Sequence, residues 1–600
     1  MRLTPVLCLL AGAPTVYLGG CASSSGPPLP EKFEQRSPVA GAHDGPPVDQ
    51  GQTGSARFVH GLLDVYDAEA AMGVATFLDG FYRAPASEGY EESIERVLAA
   101  LYGAGFGATE GYELSTPRRS MGAPAWTPVS ARLAAVAGDR AIQEASKRGV
   151  KRRAGSGREV ELMRFDRERD LHRVMLPLGA PSCSVEGPLG LGLEQLEPGR
   201  VLLTDRPLKA VEQAAAEAGA IGIISDYVFP YCVDPTGDKR DYDAVFYDEV
   251  RPGSSIPSFQ VSQRIGASLR TAAQVGTRVK LEAEVRREER PLRTVLATIE
   301  GAELKDEVVF ILGHVDGAGA NDNAAGAAGV VELALSMKRL IDGGALDRPR
   351  RSICFVFGTE TGAGVTAMEE SRGAPVAAIV ADMIAADADE TGAMCLLERG
   401  WDPASLFPLP PDKHTPWSTG MTVPDGSIVP HGLSIICREA LIDVSYAELA
   451  RGGEAWTTGE HPWEGGGDQG SFLVEGVASS LFWHFTDFTF HTSLDRMDMV
   501  DPDELRRTAV AVGAAALAVA DARPVDLERH LDTLNLERRV RLDAVVREEA
   551  GPEAEELWKA WFRGARFWLK ALTAGEALPE VEPLVVPVAP TPEGAANPEG

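Results

Sequence analysis

The chain is predicted to be an α/β protein: a central mixed, mostly parallel sheet flanked by helices, with a smaller β-rich α/β domain inserted ahead of it. Three observations lead there. Between residues 291 and 520, apolar runs of strand length alternate with stretches of helical spacing: strand 307–313, helix 324–341, strand 352–357, helix 362–371, strand 376–382. That alternation calls for parallel strands joined by right-handed crossovers. Polar residues of metal-ligand type stand where these strands stop, the edge on which open α/β sheets place their sites. A second, shorter series of strands and helices occupies about 173–290 and has a different character.

Length and composition set the outer bounds. At 600 residues the chain exceeds what one hydrophobic core supports, and about 150 residues per domain suggests two to four. A hydrophobic share of 44% and a charged share of 24% are ordinary for a globular protein. The net charge of -30 argues against nucleic acid and anionic membrane surfaces as partners, because both are bound through basic patches.

Residues 1–20 read as a leader rather than as fold. Arg2 precedes an apolar segment through Leu18, and Leu18-Gly19-Gly20-Cys21 resembles a bacterial lipoprotein signal-peptidase site. The resemblance implies a mature start at a lipidated Cys21 and an exported protein tethered to a membrane, with Ala22 favouring the outer membrane. No other segment is long and apolar enough to span a bilayer. Of the seven cysteines, five remain (Cys183, Cys232, Cys354, Cys395, Cys437). Export permits a Cys183–Cys232 pair, and Cys354 falls inside an apolar run as a core residue.

Residues 21–55 are rich in Ser, Gly and Pro and read as a flexible spacer. From 56 to 172, the N-terminal part of the main domain opens with Val59, Leu62, Leu63, Ala70, Val74, Phe77 and Leu78 at helical spacing. A second helix spans Glu91 to Leu101, and the densely charged segment 137–172 reads as an exposed or partly helical connection. In 173–290, Gly199-Arg200-Val201-Leu202-Leu203-Thr204 is a strand, Lys209–Ala218 an Ala-rich helix closed by Gly219, and Ile221–Ser225 another strand. A polar, aromatic loop at 256–262 precedes a helix from Arg264 to Ala273. This order resembles the protease-associated domain, which implies a non-catalytic insertion shaping access to a peptidase site. Beyond 291–520 come a helical extension, 521–575, with Trp558, Trp561, Phe562 and Trp568 on one apolar face, and a Pro/Glu/Ala-rich tail, 576–600, expected to be disordered.

The chemistry lies at the strand ends. His314 and Asp316 follow the first strand of the main domain, and Asp322 opens the next helix. Glu360 follows strand 352–357, Asp382 ends strand 376–382, and His491 follows the apolar run Val477–Phe485. Parallel topology makes these ends converge. Two imidazoles with three carboxylates suit a divalent ion, zinc being favoured by the imidazoles, and several carboxylates favour a pair of ions sharing one bridge.

The pieces Gly313-His314-Val315-Asp316, Asn321-Asp322-Asn323-Ala324-Ala325-Gly326, Gly358-Thr359-Glu360-Thr361-Gly362, Ala381-Asp382-Met383, Gly467-Asp468-Gln469-Gly470-Ser471-Phe472 and Phe490-His491-Thr492-Ser493-Leu494-Asp495 occur in order. They resemble the co-catalytic zinc aminopeptidase family, which includes leucyl aminopeptidases, aminopeptidase Y, glutamate carboxypeptidases and glutaminyl cyclases. The resemblance implies two zinc ions, one on His314 and Asp382, the other on Glu360 and His491, with Asp322 as the bridge and a cis peptide after it. It implies that Asp316 orients His314, and that Asp468 supports the pocket floor rather than binding metal. One position departs from the family. Where the family has a general-base glutamate, this chain has Thr359, whose hydroxyl cannot take a proton near neutral pH. Two functional readings follow. The first is an exported, membrane-anchored zinc exopeptidase of aminopeptidase type acting on peptides or small proteins. The second is an impaired pseudopeptidase that keeps the metal site as a scaffold for peptides or a partner. Oligomeric state is left open by the sequence.

Overall fold

Val308 to Leu312 are all buried, so this run needs cover on both faces. In the computed structural model the strand Leu304–Leu312 accordingly lies near the middle of an eight-stranded sheet. The structure describes residues 53–136, 159–166, 175–194, 196–232, 240–424, 426–578 and 583–584. The leader, Cys21, nearly all of the 21–55 spacer and most of the 576–600 tail lie outside the described residues.

The sheet order is Tyr112–Ser115, Val295–Ile299, Arg351–Phe357, Leu304–Leu312, Ala374–Ala381, Ala478–Phe485, Met394–Glu398, Thr458–His461. The four strands Arg351–Phe357, Leu304–Leu312, Ala374–Ala381 and Ala478–Phe485 run parallel to one another. Val295–Ile299 pairs antiparallel with both neighbours and Met394–Glu398 antiparallel with Ala478–Phe485, while Thr458–His461 runs parallel to Met394–Glu398, which makes the sheet mixed and mostly parallel, as expected.

Strand geometry sends alternate side chains to opposite faces. Val309 and Ile311 join the core under the helix Ala324–Asp342, together with the helices Ala56–Val65, Ala68–Asp79 and Pro502–Ala520. Val308, Phe310 and Leu312 join a second core with Ala363, Ala367 and Phe472, which lie on the helices Gly362–Glu370 and Gln469–Val474. Each such apolar side chain contributes about 1.5–3 kcal/mol by leaving water. The first turns of helix Ala324–Asp342 are all Ala and Gly because the backbone there comes against the sheet. A Cβ on Gly326 would lie 1.9 Å from Asn323 Oδ1 and 2.7 Å from the Ala381 carbonyl oxygen. Among the described residues no single helix is long and apolar enough to cross a membrane.

The second sheet runs Glu159–Asp166, Ala125–Val136, Arg278–Glu288, Cys183–Leu191, Val201–Thr204, Gly222–Ser225, Ser258–Gln260. Two expectations change here. Ser258–Gln260, read as loop, is a buried strand beside Gly222–Ser225. Residues 159–166, read as part of a charged connection, form a strand on Ala125–Val136. Met163 and Phe165 point inward there while Arg164 stays exposed, so the outward charges hid a period of two. The second sheet thus takes two strands from the 56–172 segment.

The extension forms two helices, Leu527–Arg547 and Gly551–Ala574, and buries Trp558, Trp561, Phe562 and Trp568. None of the five cysteines in the described residues forms a disulfide, so the Cys183–Cys232 bridge is not made. Their sulfurs face different backbone carbonyls, those of Leu281 at 3.8 Å and Phe490 at 3.9 Å.

Candidate metal centre

Because the four central strands are parallel, the residues that follow them meet at one edge. His314 Nε2 lies 3.1 Å from Asp382 Oδ1 and 3.4 Å from Asp322 Oδ1. The other oxygen of Asp322, Oδ2, lies 3.0 Å from His491 Nε2. Asp322 thus faces one imidazole with each oxygen, the arrangement a bridging carboxylate needs. Ligand atoms of His314, Asp322 and Asp382 lie within 4.8 Å of one another. His314 Nδ1 is 3.1 Å from the Asp316 carbonyl and 3.2 Å from its Oδ1. This places the ring proton on Nδ1 and presents Nε2 to the centre. Asp316 Oδ1 also accepts from the Glu360 backbone N–H at 2.9 Å, so one carboxylate positions two of the expected ligands.

The electrostatics are those of a site short of positive charge. Burial pushes the Glu360 carboxyl well above its usual range; the charges of Asp382, Asp322 and Asp468 add to this, and His314 opposes it. Burial alone would lower His314, but the charge of Asp382 and hydrogen bonds to Asp316, Asp322 and Asp382 hold it well above the usual histidine range. Burial would raise Asp322, yet hydrogen bonds from His314 and His491 bring it far below the usual carboxylate range. Asp468 is pushed up to about 7, mainly by burial, with His314 opposing and Asp316 and Asp382 reinforcing. Among the described residues, no lysine or arginine forms an ion pair with Asp316, Asp322, Glu360, Asp382 or Asp468. Two imidazoles and an excess of carboxylates without a cation fit a divalent metal.

Several supporting residues were not singled out from the sequence. Asp495 accepts from the backbone N–H of Asn321 at 2.7 Å and of Asp322 at 3.0 Å. Asn323 accepts from Met383 N–H and donates to the Ala381 carbonyl, both at 3.1 Å. Asn321 accepts from Ala385 N–H at 3.1 Å and donates to Asp487 at 3.2 Å. These bonds lock the Asp322 turn onto the end of strand Ala374–Ala381. The peptide Asp322–Asn323 is cis, as the resemblance implies. Thr361, Met383 and His491 have φ of 60°, 53° and 54°, and each is a ligand candidate or directly follows one. Such conformations cost about 1–3 kcal/mol each and persist only where the surroundings over-determine them. His491 is further held from the second domain. Tyr247 N–H donates to its carbonyl at 2.7 Å, Phe490 stacks on its ring at 4.0 Å, and Phe229 and Phe246 each lie 6.3 Å from it. Only the motif blocks hinted at Asn321, Asn323 and Asp495; the aromatic clamp left no trace at sequence level.

Thr359 is buried beside Glu360. Glu369 and Glu370, the nearest acids on the following helix, are exposed, and Glu369 pairs with Arg119. Glu398, His461 and Glu464 form a second close group of ligand types. His461 Nε2 accepts from Trp483 Nε1 at 2.8 Å, and Nδ1 donates to the Pro462 carbonyl at 2.8 Å, so neither nitrogen is free for a metal. His431 and His484, like His461, are buried inside the fold.

The model of Peptidase family M28 matches residues 294–368, the stretch that carries His314, Asp316, Asp322, Thr359 and Glu360. No curated protein matches the chain. Among solved structures, the chain is similar to a Peptidase M28 precursor from Shewanella amazonensis SB2B, with a TM-score of 0.51 and 18% identity over 79% of this chain and 98% of that one. It is also similar to BSAP, a zinc aminopeptidase from Bacillus subtilis, with a TM-score of 0.48 and 13% identity over 75% and 94% of the two chains. An aminopeptidase from Aneurinibacillus sp. strain AM-1 gives a TM-score of 0.42 and 15% identity over 76% and 95%. The first of these likenesses establishes a shared α/β fold.

Proposed function

We propose that this protein is a zinc metallopeptidase of the aminopeptidase type, working through a two-metal centre. The observation that carries the reading is Asp322, which turns one oxygen to His314 and the other to His491 beside Asp382 and Glu360. His314 and Asp382 would hold one zinc and Glu360 and His491 the other, with Asp322 shared. Bound there, a zinc pair polarises a scissile carbonyl and lowers the pKa of water. The chain's own part is to orient the ligands through Asp316 and Asp495, and to position the His491 ring against the aromatics Phe229, Phe246 and Phe490. Phe229 and Phe246 belong to the second domain, which we read as a protease-associated domain shaping access for peptides. Export and anchoring through a lipidated Cys21 complete the proposal.

Purified protein is expected to hold about two zinc ions and to hydrolyse aminoacyl-anilides in a chelator-sensitive manner. Thr359→Glu is expected to raise turnover, by up to about 10²–10⁴ if no other group takes the proton in the parent. Thr359 itself favours a second reading, a pseudopeptidase that keeps the metal site to bind peptides. Two bound zinc ions with no turnover in the parent and measurable turnover in Thr359→Glu would select that second reading. A protein that binds no zinc would end both.

A further inference from the structure

If Thr359 cannot accept a proton, another group must do so for hydrolysis to run. Asp468 is placed for it. Its side chain is only 1% exposed, yet both of its carboxylate oxygens are without a hydrogen-bond partner. The Thr361 backbone favours its charged form. A buried carboxylate left unpartnered costs several kcal/mol unless something else meets it. Its charge interacts with those of His314, Asp316, Asp382 and Glu360, and its helix is joined to the turn that carries Glu360 through Ser471 and Thr361.

The backbone around Asp468 is tied to the turn that carries Thr359. Ser471 Oγ donates to the Thr361 carbonyl at 2.8 Å. A Cβ on Gly364 would lie 2.8 Å from Phe472 Cε2 and 3.4 Å from Ser471 Cβ, so the helices Gly362–Glu370 and Gln469–Val474 pack in close contact. The competing carboxylates are committed. Asp316 Oδ1 serves His314 and the Glu360 N–H, while Glu369 and Glu370 lie on the surface.

We propose that Asp468 is the proton acceptor of this site, taking the role that Thr359 cannot fill. The proposal rests on the peptidase reading above. In the step, water gives a proton to an Asp468 oxygen as its own oxygen bonds the scissile carbonyl carbon. The carbon–nitrogen bond then breaks, and Asp468 returns the proton to the leaving amine nitrogen. One water is consumed, the carboxylate is regenerated, and no redox partner is needed.

The test uses full-length zinc-loaded protein and four forms: parent, Asp468→Asn, Thr359→Glu and the double variant. Zinc content and affinity for an aminoalkyl boronic acid are measured beside kcat and KM. Asp468→Asn is expected to keep its zinc, boronate affinity and KM while kcat falls at least about 100-fold. The double variant is expected to recover turnover through the new glutamate. Unchanged kcat in Asp468→Asn would overturn Asp468 as the acceptor while leaving the peptidase reading standing. Loss of zinc in Asp468→Asn would also overturn it, marking Asp468 as support for the ligands. A parent without turnover would instead overturn the peptidase reading.

Discussion

Two groups of buried carboxylates in this molecule solve the same problem in opposite ways. At the junction with the C-terminal extension, Asp402, Asp412, Glu460 and Glu537 are met by Arg399, Arg438 and Arg541. Contacts there include Arg399–Asp402 at 2.8 Å, Arg438–Glu537 at 3.0 Å and Arg541–Glu537 at 2.6 Å. At the sheet edge, among the described residues, Asp316, Asp322 and Asp382 form ion pairs only with His314 and His491, and Glu360 and Asp468 form none. The first group is complete within the chain and ties the helix Leu527–Arg547 to the main domain. The second carries surplus negative charge that burial does not tolerate alone. The difference teaches that a buried acidic cluster is read by what neutralises it: an internal cation means structure, and its lack points to an ion from outside.

The largest expected effect comes from breaking the complete cluster. Arg541→Met leaves Asp412 and Glu537 underpaired and is expected to cost about 3–5 kcal/mol in urea unfolding. An unchanged midpoint would show that the cluster is not the clasp described. Withdrawing zinc tests the other side. Chelated protein is expected to lose up to about 4 kcal/mol relative to protein at free zinc near 1,000 times its Kd, seen as a zinc-dependent Tm. A Tm indifferent to zinc would contradict the metal assignment.

A third prediction concerns a group with no charged partner. His431 is buried near Trp568 at the same junction, and burial lowers its pKa to about 4. Between about pH 6.5 and pH 4 the unfolded chain binds a proton that the folded one refuses. Stability from this residue is therefore full above about pH 6.5 and falls as pH drops through about 4, by about 3 kcal/mol in all. His431→Phe should flatten that part of the acid curve, and identical parent and variant curves would refute it. The smallest effect is expected at Asp316. Asp316→Asn weakens the orientation of His314 and is expected to lower zinc affinity about 10–100-fold by calorimetry. Undiminished affinity would remove Asp316 from the site.

Much of the site was legible because its residues come in short blocks at strand ends. Once Val308–Leu312 and Ala374–Ala381 are read as parallel strands, His314 and Asp382 must share an edge. The supports were less legible. Asp495 holds the Asp322 turn from 173 residues away, a distance over which no periodicity carries information. The strand Glu159–Asp166 was obscured because half of its side chains are charged and face solvent. The cluster at Arg541 was hidden for the same kind of reason, since charged residues on a helix read as a solvated face until another helix covers them.

The sequence by itself determined the α/β class, the strand ends that carry the candidate ligands, and the presence of a threonine at position 359 before Glu360. These follow from local hydrophobic period and residue identity. Tertiary structure alone decided that Asp322 faces both histidines and that aromatics of the second domain lie against His491. It also decided that Asp468 stands buried and unpartnered beside the turn of Thr359. Those facts depend on contacts between segments far apart in the chain, where geometry is set by packing and not by any local pattern.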